Sequence, residues 1–166
     1  SRDEAKTFIY AFIYGAGNRK IGSIIGGSER DGERIKEKFL RATPSLRRLR
    51  EKVERVAQRR WVRGIDQRKI IIRHPHAALN TLLQGAGACV MKKALTLLEE
   101  YVITKRIRAF PVVNVHDEFQ YEVQADRADE FGRLAVQSIR DAGDLLNVRC
   151  PLNGEYKIGN NWSETH

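Results

Sequence analysis

Two short runs of strand-forming residues, separated by only two positions, constrain the fold of this 166-residue chain more than any other feature. The runs PVVNV (111–115) and EFQYEV (118–123) are rich in β-branched and aromatic residues. Strands joined by so short a connection pair side by side in opposite directions, because a parallel crossover needs a dozen or more residues. The sequence therefore predicts an antiparallel hairpin with the polar pair His116 and Asp117 at its tip.

Most of the remaining chain has the 3.6-residue spacing of apolar residues that is typical of amphipathic helices. Ser1 and Glu4 form a capping-box pattern at the first helix, and Ser45 is the expected N-cap of the third. Two short β-branched runs that flank GIDQ indicate a second hairpin within residues 59–73. The predicted helices cover residues 2–14, about 31–41, 45–60, 76–105, and a stretch from Asp126 or Asp129 to about 146.

Helices and antiparallel hairpins in separate stretches of the chain predict the α+β class. The helix at 76–105 is unusually apolar and contains the small-residue run QGAGA (84–88), so we expect it to be buried and closely approached by its neighbours. The segment IGSII (21–25) lies between glycine breaks and receives no assignment. The tail from Cys150 to His166 is predicted to be irregular, because glycines and asparagines mark turns in it.

Positive charge is concentrated in the first half of the chain. Residues 1–76 contain 20 Lys and Arg against nine Asp and Glu, a net charge of +11, whereas residues 77–166 carry −2. A positive field of this kind favours phosphate-bearing partners such as nucleotides and nucleic acids. The alternative is an ordinary solvated helix surface.

Composition excludes several classes of protein. A hydrophobic fraction of 42% and a charged fraction of 31% are near globular averages, which excludes wholesale disorder. No stretch approaches the roughly 18 uncharged apolar residues that a membrane span needs. Cys89 and Cys150 fit neither a disulfide framework nor a zinc site, and no leader is evident. We therefore expect an intracellular protein without a membrane partner.

Four residues on the first helix form the first candidate site. Arg2, Lys6, Tyr10 and Tyr14 stand four positions apart, and each step turns a helix by about 400°, so the row drifts only about 40° per step. Two cations followed by two aromatic rings suit a nucleoside triphosphate, because cations meet the phosphates and rings face the sugar and base. The alternative is an amphipathic helix with basic residues outward and tyrosines half-buried.

Two further groups of residues carry chemistry. Asp117 and Glu118, beside His116, could contribute to a divalent-cation site, since Mg²⁺ needs only one or two carboxylates beside substrate phosphates. Adjacent strand residues point to opposite faces, so both carboxylates are not expected to bind the same ion. Asn80 and Gln84 lie one turn apart on an apolar helix, where they either contact base edges or sugars in a minor groove or are satisfied core amides.

Together these segments resemble the family A DNA polymerases. RDEAKTFIYAFIYG (2–15) fits the finger-helix signature of that family, Arg-x3-Lys-x3-aromatic-x3-Tyr-Gly. HAALNTLLQGAGA (76–88) is similar to the palm helix that follows, and VNVHDEF (113–119) is similar to the second catalytic-carboxylate motif. The end of the chain, CPLNGEYKIGNNWSETH, is similar to the tail of the T-seven-like phage replicative polymerases. The resemblance covers the whole chain in the family's order.

The resemblance implies a nucleotide-binding role for the first helix. Arg2 would contact the outer phosphates of the incoming dNTP. Lys6 would neutralise the same phosphates and could protonate the leaving pyrophosphate as a general acid. Tyr10 would lie against the deoxyribose, and Tyr14 would stack at the template side of the insertion site. Gly15 would leave clearance for the backbone there.

It also implies catalytic and DNA-binding roles further along the chain. Asp117 would hold one or both Mg²⁺ ions of a two-metal mechanism, and Glu118 would support that site. His116 would lie near the primer terminus. The residues implied in contact with the primer–template duplex are Gln84 and, with less support, Asn80 and Arg68.

The same resemblance divides the chain into a fingers region (1–73) and a C-terminal palm portion (74–166). The family's first catalytic aspartate precedes the finger helix, so the two Mg²⁺ ions would be shared with an aspartate outside this sequence. We therefore expect the C-terminal part of a DNA polymerase, active only with an N-terminal polymerase chain that supplies the thumb and the rest of the palm, in the cytoplasm of a bacterial host. Ser1 is compatible with a proteolytic, engineered, separately encoded or intein-derived start. The alternative is a non-catalytic basic DNA-binding module.

Overall fold

A computed structural model of the chain describes residues 2–115 and 117–165. Short 3₁₀ turns precede the two longest helices, at Pro75–Ala77 and Ala125–Arg127. In chain order the elements are α1 (Arg2–Ile13), α2 (Asn18–Ile24), α3 (Glu29–Ala42), α4 (Pro44–Ala57), β1 (Trp61–Arg63), β2 (Lys69–Ile71), α5 (Ala78–Lys105), β3 (Ala109–Val115), β4 (Glu118–Val123), α6 (Ala128–Leu145) and α7 (Trp162–Thr165).

The chain consists of two compact units, residues 1–85 and 86–166. Each unit contains one antiparallel two-stranded hairpin, β1–β2 in the first and β3–β4 in the second. The rest of the regular structure is helical, so the α+β prediction is confirmed. No helix among the described residues combines the length and the apolar character needed to cross a membrane.

In the first unit, aromatic residues fix α1 against α3. Phe8 and Phe12 are buried, and both meet the ring of Phe39 edge-on, with ring centroids 5.3 and 5.2 Å from it. The segment without a sequence assignment forms α2, and its Ile21 is fully buried beside the same rings. Because two successive turns of α1 each contribute a buried ring, the orientation of α1 in the unit is set by the core rather than by its charged side.

A second cluster of the first unit holds the β1–β2 hairpin. Trp61 pairs with Ile71 and Arg63 with Lys69, which confirms the hairpin predicted within residues 59–73. The buried residues beneath it come from α4, β1, the residue after β2 and the start of α5: Val53, Ala57, Val62, Ile72, Ala78 and Leu79.

The predicted start of α4 was wrong. Thr43, not Ser45, occupies the N-cap position, and Pro44 is the first helical residue. Proline is favoured there because its missing N–H would lack a helical partner in any case. The helix also ends earlier than predicted, at Ala57, and Arg60 has a positive φ of 64° that no helix continues through. The predicted Ser1 cap lies outside the described residues.

The second unit is built around the β3–β4 hairpin, α5 and α6. The pairs Val115–Glu118, Asn114–Phe119 and Val113–Gln120 confirm the predicted antiparallel register, with an irregularity between Pro111 and Val113. The hairpin covers a core to which α5 and α6 both contribute, and its buried members are Leu98, Val102, Ile107, Phe131 and Ala135.

The start of α6 lies at Ala128, between the two predicted starts at Asp126 and Asp129, and a 3₁₀ turn leads into it. The expectation for α5 needs correction. The helix α5 is only partly buried, since Leu83 and Gln84 are exposed and a Cβ at Gly87 would have no neighbour within 4 Å. The apolar composition of α5 therefore predicted more burial than the two units provide.

The tail is largely irregular, as predicted, and part of it is held on α6. The Tyr156 ring packs directly over Gly132, so that a side chain at Gly132 would collide with it. The Tyr156 hydroxyl donates a hydrogen bond to Asp129 at 2.6 Å, and this bond raises the pKa of the Tyr156 hydroxyl. The short α7 near the end of the tail was not predicted.

Candidate functional site

The four spaced residues of the first helix form one exposed row, which we call the α1 stripe: Arg2, Lys6, Tyr10 and Tyr14. Tyr10 and Tyr14 expose 52% and 55% of their surface, while the rings of Phe8 and Phe12 are buried. The Lys6 ammonium lies 6.0 Å from the centroid of the Tyr10 ring. The tyrosines are thus more exposed than in a helix that uses them for packing, and the stripe is available to a ligand.

The spacing of residues along α1 explains why the stripe is exposed. Residues 8 and 12 share one face of α1 and supply its buried aromatic anchors, whereas the stripe lies on another face because its members are offset by two positions. Tyr14 lies one residue after the end of α1, but its N–H still donates to the carbonyl of Tyr10 at 2.9 Å. Tyr14 therefore continues the last helical turn and stays in line with the stripe.

A tight backbone turn ends the stripe. Gly15 has a positive φ of 78°, and a Cβ placed on it would lie 2.8 Å from the carbonyl oxygen of His76. The Nζ of Lys36 donates to the carbonyl of the next residue, Ala16, at 3.2 Å. Burial is the main cause that lowers the pKa of Lys36, and the nearby Arg50 acts in the same direction. The turn is therefore fixed from α3 and from the residues before α5.

The structure brings one of the two predicted DNA-contacting amides close to this turn. Gln84 of α5 is exposed, and its Nε2 donates to the Tyr14 hydroxyl at 3.3 Å. The Oδ1 atom of Asn80, one turn earlier, is buried and lacks a hydrogen-bond partner among the described residues. An unpartnered buried carbonyl is costly, so it is a natural acceptor for a water or a ligand donor.

The other predicted DNA contact, Arg68, lies on the β1–β2 hairpin. Its guanidinium pairs with the carboxylate of Asp66, and 73% of the side chain remains exposed. Asp66 also accepts a hydrogen bond from the backbone N–H of Arg68. The pair shapes the turn, and the arginine head still faces solvent.

The second unit places the predicted catalytic carboxylates at one end of β4. Asp117 is exposed in the turn between β3 and β4, and Glu118 is the half-buried first residue of β4. Gln120 donates to Glu118, and the Thr165 hydroxyl of α7 donates to Gln120 at 3.3 Å. His116 lies outside the described residues.

The carboxylates suit Mg²⁺ as partial ligands. Asp117 presents hard oxygen donors to solvent, and one or two carboxylates with substrate phosphates are a common Mg²⁺ ligand set. Within residues 2–115 and 117–165, no group of three or more His, Cys, Asp or Glu side chains is placed to hold a metal ion. Asp117 and Glu118 are therefore candidate ligands that do not form such a group by themselves.

Sequence reasoning missed three contributors to these sites. The contact between His76 and Gly15 and the bond from Lys36 to Ala16 join residues far apart in the chain, and no local signal indicates them. Gln120 could have been found, because it stands two positions after Glu118 and so shares its face of the strand.

The chain matches the model of DNA polymerase family A over residues 1–164. It therefore belongs to DNA polymerase family A, which confirms the resemblance seen in its motifs.

Similar proteins include two phage enzymes. The chain is 38% identical to a DNA-directed DNA polymerase of Enterobacteria phage T3, with 100% of the chain and 27% of the relative covered. It is 39% identical to a DNA-directed DNA polymerase of Escherichia phage Phieco32, with 100% and 28% covered. The chain thus spans less than a third of the length of these relatives.

The fold is also similar to a solved structure, the POL domain of Pol1 from M. smegmatis in complex with DNA primer-template and dNTP. The TM-score is 0.77 at 19% identity, with 85% of this chain and 27% of the other covered. This similarity supports the α+β fold of a polymerase domain.

Proposed function

We propose that this chain is the C-terminal, catalytic part of a DNA polymerase that copies a DNA template. The main support for the proposal is the exposure of the α1 stripe in a member of family A: two cations and two tyrosines face solvent while Phe8 and Phe12 anchor the helix. The reaction is transfer of a nucleotidyl group from a dNTP to the primer 3′-hydroxyl. Family membership favours this function over a non-catalytic DNA-binding module.

The α1 stripe binds the incoming nucleotide. Arg2 and Lys6 meet its phosphates, and charge-assisted bonds of this kind are among the stronger ones available to a protein. Lys6 also donates the proton that the leaving pyrophosphate requires. Tyr10 lies against the deoxyribose and Tyr14 against the template side, while Gly15 lets the backbone turn sharply behind them.

The β3–β4 turn supplies the carboxylate chemistry. Asp117 would hold Mg²⁺, which in a two-ion site would stabilise the attacking and leaving oxygens of the displacement. Glu118, which Gln120 holds, supports Asp117, and His116 serves the primer terminus. The second aspartate of a two-ion site comes from another part of the polymerase.

Amide side chains contact the duplex. Gln84 is exposed, and Asn80 has an unpartnered buried carbonyl, so both can accept or donate hydrogen bonds to minor-groove edges. Arg68 adds a cation for the duplex backbone. The solved polymerase domain of similar fold is in complex with DNA primer-template and dNTP, which supports both as partners.

The chain acts as fingers (1–73) and C-terminal palm (74–166) of a larger assembly. An N-terminal polymerase chain is the proposed partner that contributes the thumb and the rest of the palm, and the chain itself covers 27% and 28% of the phage relatives. Similarity to phage enzymes supports the cytoplasm of an infected bacterium as its location.

Affinity capture of the tagged chain from its native host, followed by primer extension with the captured complex, tests this function. We expect a complex that contains the missing catalytic aspartate and extends a primer only when Mg²⁺ and dNTPs are added. The chain alone should bind DNA without extending it. Capture of nucleic acid without any such polypeptide, and without extension, would support the non-catalytic binding module instead.

A further inference from the structure

The cations of α4 fall into two groups with different surroundings. Arg47 pairs with Glu37 of α3 at 2.8 Å, and Arg50 pairs with Glu54 at 2.8 Å. The Arg50 guanidinium also lies 5.5 Å from the centroid of the Phe12 ring. These two arginines are half-buried and serve the packing of the first unit.

The second group stands apart from these contacts. Its four members, which we call the α4 ridge, are all exposed: Arg48, Lys52, Arg55 and Arg59. Among the described residues, none of the four has a carboxylate within 4.0 Å, and the Arg48 guanidinium donates to the neutral hydroxyl of Ser45 at 3.1 Å. The four ridge cations are therefore not held in ion pairs by the fold.

Helical spacing aligns the ridge. Its members are four, three and four positions apart, so on a helix they stay within about 40° of one line. Arg48 and Arg55 are about 10 Å apart along the axis, and Arg59 follows in the turn after Ala57. The buried Val53 and Ala57 lie on the other side of α4, so the fold does not use the ridge for packing.

We propose that the α4 ridge binds the sugar–phosphate backbone of single-stranded nucleic acid. Arginine is suited to phosphate because its planar guanidinium binds two oxygens at once. A flexible single strand can bring successive phosphates onto one line of cations. The phosphates of a duplex are fixed around a wide cylinder, so fewer of them meet such a line. The ridge carries no aromatic side chain on which bases could stack, so binding is independent of base sequence.

This surface is separate from the proposed polymerase site. None of its residues belongs to the α1 stripe, the duplex-contacting amides or the β3–β4 turn. Its binding is measured without nucleotides and without synthesis, so loss of the ridge activity and failure of the proposed function are distinguishable.

The test compares two charge-matched variants of the full chain by fluorescence anisotropy with a labelled oligothymidylate. The ridge variant carries Arg48→Gln, Lys52→Gln, Arg55→Gln and Arg59→Gln. The control carries Lys92→Gln, Lys105→Gln, Arg106→Gln and Arg149→Gln, four exposed cations of the second unit. Far-UV circular dichroism checks that both retain the helical content of the parent chain.

We expect the ridge variant to bind the oligonucleotide at least about tenfold more weakly, and the control within about twofold. The slope of log K against log salt concentration should fall by about 2 to 3 in the ridge variant, since each single-strand phosphate contact contributes about 0.7. Equal weakening in both variants would overturn the proposal, because total charge would then explain the binding. A ridge effect seen only with duplex DNA, or only with an acidic peptide, would also overturn it.

Discussion

Single residues on α1 separate into those that hold the helix and those that face a ligand. Phe8 and Phe12 are buried, whereas Tyr10 and Tyr14 are more than half exposed. This division could be predicted, because helical spacing alone assigns residues two apart to different faces. The contact of His76 with Gly15 could not, because 60 residues separate the two in the chain and no periodicity links them.

Replacing either cation of the α1 stripe should impair nucleotide use more than DNA binding. For Arg2→Ala and Lys6→Ala in the polymerase complex, we expect kcat/KM for dNTP to fall at least about tenfold, since a charge-assisted phosphate contact contributes about 1.5–3 kcal/mol. Steady-state primer extension and an independent DNA Kd are measured together. The control Arg19→Ala removes an exposed cation of α2. A fall in DNA affinity as large as the fall in kcat/KM would contradict the nucleotide assignment.

The turn at Gly15 makes a separate prediction about stability. Gly15→Ala should lower the free energy of unfolding by about 1–3 kcal/mol, because it adds strain at positive φ and a Cβ 2.8 Å from the His76 carbonyl oxygen. Gly26→Ala isolates the first of these causes, since Gly26 has a φ of 68° and no neighbour within 4 Å of a Cβ. Urea denaturation at low protein concentration compares the two. Equal losses would show that the His76 contact costs nothing.

At the scale of elements, hairpins were predicted better than helix ends. The two-residue connection at His116 and Asp117 leaves antiparallel pairing as the one option, and the observed register agrees. Helix starts depend on competition among neighbouring residues. At α4, Pro44 takes the first helical position, and the N–H groups of Leu46 and Arg47 donate to the Thr43 carbonyl at 3.0 and 3.1 Å. Ser45 therefore lies inside the first turn rather than at the cap.

One polar contact joins the two long helices of the second unit and sets a pH dependence. The Tyr101 hydroxyl of α5 donates to Asp141 of α6 at 2.5 Å, and this hydrogen bond is the main cause that raises the pKa of Tyr101 to about 12. Tyr101→Phe should lower the free energy of unfolding by about 0.5–1.5 kcal/mol at neutral pH, because the bond to a carboxylate is lost.

The sign of the pH dependence follows from the raised pKa. The contribution of Tyr101 to stability is fully present below the ordinary tyrosine pKa of 10.0 and is lost as pH rises through its raised pKa of about 12. Urea denaturation of Tyr101→Phe at neutral and alkaline pH measures it, with Tyr10→Phe, an exposed tyrosine, as control. A difference between parent and Tyr101→Phe that stays constant above pH 10 would contradict this assignment.

At the scale of the whole molecule, the chain has surfaces that its own fold leaves uncovered. Ile103, Phe110 and Val112 of the second unit expose 66%, 63% and 67% of their surface. The concentration of positive charge in residues 1–76 was evident from the sequence, but the division into units within α5 was not, because the helical periodicity of α5 continues across it.

These exposed apolar residues predict self-association of the isolated chain. An uncovered strand with large apolar side chains is an aggregation liability, and a partner that covers it should relieve it. We expect Phe110→Thr with Val112→Thr to reduce oligomers seen by size-exclusion chromatography with light scattering. Ile25→Thr, in the first unit, is the control. A parent chain that is monomeric and melts in one sharp transition would contradict the prediction.

Primer extension by the assembled polymerase carrying Asp117→Asn tests most directly whether this chain supplies a catalytic carboxylate. We expect Mg²⁺-dependent extension to fall by at least about a thousandfold, because a metal-binding carboxylate is lost. DNA binding should stay within about twofold, since Asp117 is assigned no DNA contact. The matched control Asp144→Asn, an exposed aspartate of α6, should extend like the parent. Unchanged extension by the Asp117→Asn complex would show that this chain does not supply a catalytic carboxylate.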